Sequence, residues 1–230
     1  MARSGAARIF AVALLAGLAL VPLLAALLGQ PFWITLFTRI LIFALAAMGL
    51  NLVLGFGAMV SFGHAMYIGI GAYAVGILSY HGVDSGLMQL LAALGVGSIV
   101  ALVVGAICLR TSGMAFIMIT LAFAQMLYFL AVSLREYGGD DGMQLKGRSL
   151  LGPLDLNNPT VLYYLAYVLV VAVLFAFWRL VQSRFGMVLR GCRSNERRMA
   201  SMGFPTLRYK LSAYLISALV CVLAGMLMAN

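Results

Sequence analysis

The stretch from Ile40 to Val83 reads ILIFALAAMGLNLVLGFGAMVSFGHAMYIGIGAYAVGILSYHGV, 44 residues without a charged side chain. An apolar helix needs about 20 residues to cross about 30 Å of hydrocarbon, so this stretch is too long for one crossing and suits two. Gly55, Gly57 and Gly63 cluster where the two would join, around Ser61 and His64. Glycine is a poor helix former. The reading is therefore two apolar helices with a glycine-rich break between them.

The rest of the chain divides in the same way. Further uncharged stretches run from Ile9 to Thr38, Ser85 to Leu109, Thr111 to Leu134, Leu156 to Trp178 and Leu211 to Asn230, each 20 residues or more. Of the 230 residues 64% are hydrophobic and only 9% charged, with a mean hydropathy of +1.09. Soluble domains carry about 25% charged residues, so a soluble fold is excluded. Disorder, collagen and a disulfide scaffold fail on the apolar content, the 5 prolines and the 3 cysteines. No period-2 alternation supports a β-barrel. We expect an all-α fold: one polytopic transmembrane helical bundle over 1–230, with about seven spans near 9–28, 33–54, 64–82, 87–109, 112–134, 158–178 and 211–230. An outer loop would occupy 135–157 and a cytoplasmic segment 179–210.

Charge placement orients the bundle. Eight of the 15 basic residues lie between Arg179 and Lys210, with Glu196 the sole acid there, whereas 135–155 holds three basic and four acidic residues. Basic loops stay on the cytoplasmic side. The N-terminus, with Arg3 and Arg8, and the loops near Gly55, Arg110 and 179–210 are then cytoplasmic. Those near Gln30, Asp84 and 135–159 face outward, and Arg39 is the one misfit. The net charge of +9 is topological in origin, and no nucleic-acid partner is expected. The first apolar run exceeds the 7–15 residues of a signal-peptide core, and we read it as an uncleaved helix.

No catalytic residue and no metal site emerge. Phosphate-loop, HExxH and CxxC motifs are absent from the sequence. Cys108, Cys192 and Cys221 are not spaced for a metal and read as free thiols. Gly69-Ile-Gly71-Ala72-Tyr73-Ala74 matches a dinucleotide fingerprint as a string, but it lies inside an apolar span. Small residues do fall on helical faces: Ala65, Gly69, Ala72 and Gly76; Gly97, Ala101 and Gly105; Ala213, Ser217, Cys221 and Gly225. Such faces let helix backbones approach one another in lipid. Five polar residues within spans or at the break are candidates for a substrate pathway: Asn51, Ser61, His64, Thr120 and Gln125. Irregular backbone at membrane depth is tolerated only where protein or a water-lined cavity covers it, and broken helices recur in transport paths. An ion-coupled transporter would usually carry an intramembrane carboxylate, and no Asp or Glu falls inside a span.

Residues 183–210 read SRFGMVLRGCRSNERRMASMGFPTLRYK. Ser194 or Asn195 can cap a short helix that runs to Met202 and is ended by Gly203 and Pro205. Such a basic helix could hold anionic lipid headgroups or dock a cytoplasmic subunit.

This segment resembles that of the M-type permease subunits of ATP-binding cassette importers for branched-chain amino acids. "MGLNLVLGFGAMVSFGHAMYIGIGAY" (48–73), "TLAFAQML" (120–127) and "YGGDDGM" (137–143) are similar to that family's motifs in order and spacing. Arg193, Asn195, Glu196, Ala200 and Gly203 fall on its coupling-helix pattern, while Arg197 and Arg198 stand where the family has small residues. The resemblance implies a multi-pass protein of the cytoplasmic (inner) membrane, in contact with membrane lipid. It further implies a second homologous permease, two cytoplasmic ATPase subunits and an extracytoplasmic solute-binding protein as partners. This chain would bind no cofactor, ATP being used by the partner ATPase. The substrates implied are leucine, isoleucine and valine; related permeases carry urea, short amides or other amino acids. Family members continue with further spans, so the resemblance also implies a C-terminally truncated chain.

Overall fold

In the computed structural model the Ile40–Val83 stretch forms two helices and a break. The structure describes residues 5–27, 29–30, 32–83, 85–139, 142–143, 150–151, 154–155 and 158–230. Arg3, Asp84, Asp140, Asp141 and much of the expected outer loop lie outside these residues.

The helices are α1 (Gly5–Leu27), α2 (Phe32–Asn51), α3 (Ala65–Tyr80), α4 (Gly86–Cys108), α5 (Met114–Ser133), α6 (Pro159–Gln182), α7 (Arg184–Ser194), α8 (Glu196–Ser201) and α9 (Thr206–Ala229). A π-helical turn, Leu52–Phe56, extends α2. The only strands among the described residues are Leu150–Leu151 and Leu154–Asp155, paired antiparallel. The fold is an all-α polytopic bundle. Five helices are long and apolar enough to cross a membrane: Phe32–Phe56, Gly86–Cys108, Met114–Ser133, Pro159–Gln182 and Thr206–Ala229. Two shorter apolar helices, Val12–Ala25 and Ala65–Tyr80, occupy the other two expected positions. At about 1.5 Å per residue α3 falls short of a bilayer core of about 30 Å.

α9 is the centre of the bundle. Ala213, Tyr214, Ser217, Ala218, Cys221, Val222, Ala224 and Gly225 are all buried along it, and α2, α3 and α4 pack around it. Two of the expected small-residue faces make these contacts. Gly97 meets Val222, and Gly105 meets Leu211 and Tyr214. Cys221 and the Ser217 carbonyl press on Gly49. The face expected on α3 is corrected: a Cβ at Gly69 would meet nothing, whereas one at Gly71 would strike the Val222 carbonyl and one at Gly225 the Ile68 carbonyl. The α3 seam therefore runs through Gly71, because its rotation is set by α9 rather than by the richest row of small residues. On the far side α6 holds α1, with the Tyr163 hydroxyl donating to the Leu18 carbonyl and that of Tyr167 to Leu15 (3.0 Å). Large apolar side chains such as Phe43, Leu91, Ile99, Phe129 and Val168 point outward, as a lipid-facing surface requires.

The loops sort to two ends. Residues 57–60, the 109–114 turn, α7, α8 and the start of α9 meet around one cleft. At the other end the His81 ring lies 3.1 Å from the Tyr137 hydroxyl. Also away from that cleft, Thr35, Arg39, Pro159 and Asn230 gather around a second, smaller cleft.

Candidate functional site

The break at 57–64 is made locally by its own residues. The Met59 N–H donates to the Val53 carbonyl (3.1 Å), closing the π turn. Ala58 takes a left-handed backbone with φ of 53°, the only non-glycine residue among those described to do so. Such backbone costs an alanine roughly 1 kcal/mol and persists only where the surroundings impose it.

Just beyond, His64 is buried and bonded at both ring nitrogens. Nδ1 lies 2.9 Å from Ser61 Oγ and Nε2 lies 2.9 Å from Ser217 Oγ on α9. The Ser217 hydroxyl donates to the Gly49 carbonyl of α2 at 2.5 Å. A hydroxyl has one hydrogen, so Ser217 must accept from His64 Nε2–H. Nδ1 is then bare and accepts the Ser61 hydroxyl, which in turn accepts the Gly63 N–H at 3.3 Å. The tautomer follows from the inventory of hydrogens. Two buried tyrosines enclose the ring edge to face, Tyr67 at 5.7 Å and Tyr214 at 5.3 Å, with the Tyr67 hydroxyl donating to that of Tyr214 (3.1 Å).

Thr120 joins from α5. Its hydroxyl accepts the Phe62 N–H (3.3 Å) and donates to the Ile117 carbonyl (2.9 Å). The Thr120 carbonyl leaves no room for a side chain on Gly63. Of the five pathway candidates, Ser61, His64 and Thr120 thus converge on the break. Gln125 does not; Asn51 stands one turn earlier, its side chain against Gly55, and both are exposed on the single chain. Sequence reading undervalued Ser217, which it placed on a packing face, and passed over Tyr67 and Tyr214. The signal available was that small polar and aromatic residues shared one helical face of α9.

The basic segment holds two helices rather than one. The shorter, α8, is capped by Asn195, whose side chain accepts the Arg198 N–H (3.0 Å). It ends where Gly203 turns left-handed at φ of 85°. Ahead of it lies α7, whose Gly186, Val188, Leu189 and Cys192 are buried; the spacing of Val188, Leu189 and Cys192 was a legible helical period. Burial pushes the Cys192 thiol above its ordinary value. Glu196 pairs with Lys210 at the start of α9, 2.5 Å apart. Arg193 donates to the Gly55 carbonyl of the π turn. Ala200 and Gly203 close α8 through the Gly203 N–H to Ala200 carbonyl bond (2.9 Å). Arg197 and Arg198 are exposed. The cleft of about 390 Å³ between this segment and the break is lined by Gly57–Val60, Thr111–Gly113, Cys192, Arg193, Glu196 and Lys210. No cluster of three His, Cys, Asp or Glu side chains suited to a metal occurs among the described residues.

Apolar spans, a buried polar break at their centre and an amphipathic basic segment beside it define a multi-pass integral membrane protein. Residues 32–230 match the family described as branched-chain amino acid transport system / permease component. The chain belongs to that family. It is 28% identical over 217 residues to the high-affinity branched-chain amino acid transport system permease protein LivM of Salmonella typhimurium, covering 84% of this chain and 51% of that one. To LivM of Escherichia coli K12 it is 27% identical over 240 residues, covering 91% and 56%. The chain thus spans about half the length of the curated relatives it matches. No solved structure matches it significantly.

Proposed function

We propose that this chain is a permease subunit of an ATP-binding cassette importer that carries leucine, isoleucine and valine across the cytoplasmic membrane. It crosses seven times with its N-terminus in the cytoplasm. A second homologous permease, two cytoplasmic ATPase subunits and an extracytoplasmic solute-binding protein complete the importer. The ATPases hold and hydrolyse ATP; this chain performs no covalent chemistry. The observation that carries the reading is the shared cleft: the helix that would dock the ATPase and the glycine break that would line the path face each other across it. Closure of the ATPase pair would move α8, and the spans would exchange outward- and inward-facing states. Ser61, His64 and Thr120 lie on the pathway side. Gln125 joins the path where the second permease packs on the outer face of α5, and Asn51 where the break opens.

The test is affinity purification of the tagged chain in mild detergent with mass spectrometry of what accompanies it, followed by uptake of radiolabelled leucine, urea and short amides in cells with and without the gene. Recovery of an ATPase pair with a gene-dependent leucine signal supports the proposal. Gene-dependent uptake of urea or an amide without leucine replaces the substrate class, and absence of any ATPase from a stable complex overturns the importer reading.

A further inference from the structure

We infer that Arg193, though its side chain is exposed, is a positioning residue whose guanidinium ties the α7–α8 segment to the glycine break, rather than a contact to the ATPase. Its resemblance to the coupling pattern places it with Asn195 and Glu196 on the docking side, yet its guanidinium donates to the carbonyl of Gly55, 138 residues away. That carbonyl sits at the C-terminal end of the π turn, where a helix leaves carbonyls unpaired and its dipole is negative. The Met59 N–H, which could have taken a nearby carbonyl, goes to Val53 instead. A guanidinium is always charged and carries five donors in a rigid fork, so it suits a fixed link to backbone.

The segment is held at a second point by the Glu196–Lys210 pair, which ties α8 to α9. α9 carries Ser217, and the break carries Ser61 and His64, so the two attachments lead to opposite sides of the same hydrogen-bonded node. Displacing α7 and α8 as a unit would pull on Gly55 through Arg193 and on α9 through Glu196. Ala58, two residues past Gly57's neighbour Phe56, already holds a strained backbone, which makes 57–60 the part able to yield. The functional consequence rests on the importer reading; the link itself does not.

Hydrogen–deuterium exchange on the full chain in lipid nanodiscs tests the link directly. Arg193→Leu should speed exchange of the amides in 57–64 about tenfold, the loss of a hydrogen bond to a charged group, while amides of α4 stay as in wild type. Arg193→Lys, which keeps a charged donor, should stay within twofold of wild type. Unchanged exchange in 57–64 in the leucine variant, loosening shared equally by α4, or a lysine variant as loose as leucine would each overturn the inference. In the assembled importer, Arg193→Leu should keep ATPase recovery and lose ATP-dependent uptake; loss of ATPase recovery would place Arg193 at the docking face instead. If wild type itself recovers no ATPase the importer reading fails, and the exchange result still decides the link.

Discussion

The Nε2 atom of His64 lies 2.9 Å from the hydroxyl of Ser217, 153 residues further along the chain, and that hydroxyl donates onward to the carbonyl of Gly49. One side chain on α9 thereby joins α2 to the start of α3 across the break. Because the hydroxyl is donor to one and acceptor from the other, no apolar residue of similar size can replace it.

Ser217→Ala should therefore destabilise the protein by about 1–3 kcal/mol, the cost of leaving buried partners unpaired. Thermal unfolding in detergent, at about 2–4 °C per kcal/mol for a chain of this size, measures it. Ser212→Ala, on the exposed side of α9, is the matched control and should shift the midpoint by under a degree.

The α3–α9 approach makes a sharper contrast. Gly225→Leu should prevent the bundle from closing, because its side chain would enter the Ile68 backbone, whereas Gly69→Ala meets open space. Size-exclusion profiles in detergent should show aggregate for the first and a wild-type peak for the second. An aggregated Gly69→Ala would place the seam where the sequence pattern had put it.

Ala58 holds its left-handed φ of 53° at a cost that glycine would not bear. Ala58→Gly should raise stability by up to about 1 kcal/mol if the entropy of the unfolded glycine is smaller than the strain relieved. The unfolding midpoint reports the sign, and Ala58→Val should lower it.

Asn195 caps α8 through the Arg198 N–H. Asn195→Ala should cost about 1 kcal/mol of local stability, seen as roughly fivefold faster amide exchange over 196–201, while Asn195→Asp retains the cap and the wild-type rate. Exchange unchanged by alanine would mean that the cap contributes nothing to so short a helix.

Glu196→Arg sets a cation against Lys210, its partner at 2.5 Å. Recovery of an ATPase with the tagged chain should fall while membrane insertion is kept. The double variant Glu196→Arg with Lys210→Glu restores the local pair and should recover part of the binding. Full recovery by the single variant would remove Glu196 from the docking element. Since Glu196 is half exposed, the pair itself contributes little to global stability, and both variants should unfold near wild type.

Several parts of this arrangement were legible in order of residues alone. The break in the long uncharged stretch, the short helix ended by Gly203, and the small-residue faces of α4 and α9 all appear where the sequence places them. The α7 helix was readable from Val188, Leu189 and Cys192, yet the density of arginine around it masked the period. The α3 face was misread, because Gly69 and Gly71 are equally small and only the position of α9 distinguishes them.

What the sequence determined by itself was the class of protein and the division of its chain into apolar helices. A charge in hydrocarbon is costly wherever it falls, so the spacing of 21 charged residues over 230 divides the chain without reference to any partner. The tertiary structure alone decided which polar residues meet. His64 has its ring tautomer set by Ser217, Arg193 finds the Gly55 carbonyl, and Thr120 takes the Phe62 N–H, each across a separation that no local pattern encodes. In lipid, apolar surface supplies no preference among helix faces; the close approach of small residues and the need to pair every buried donor select the one rotation of each helix that satisfies both.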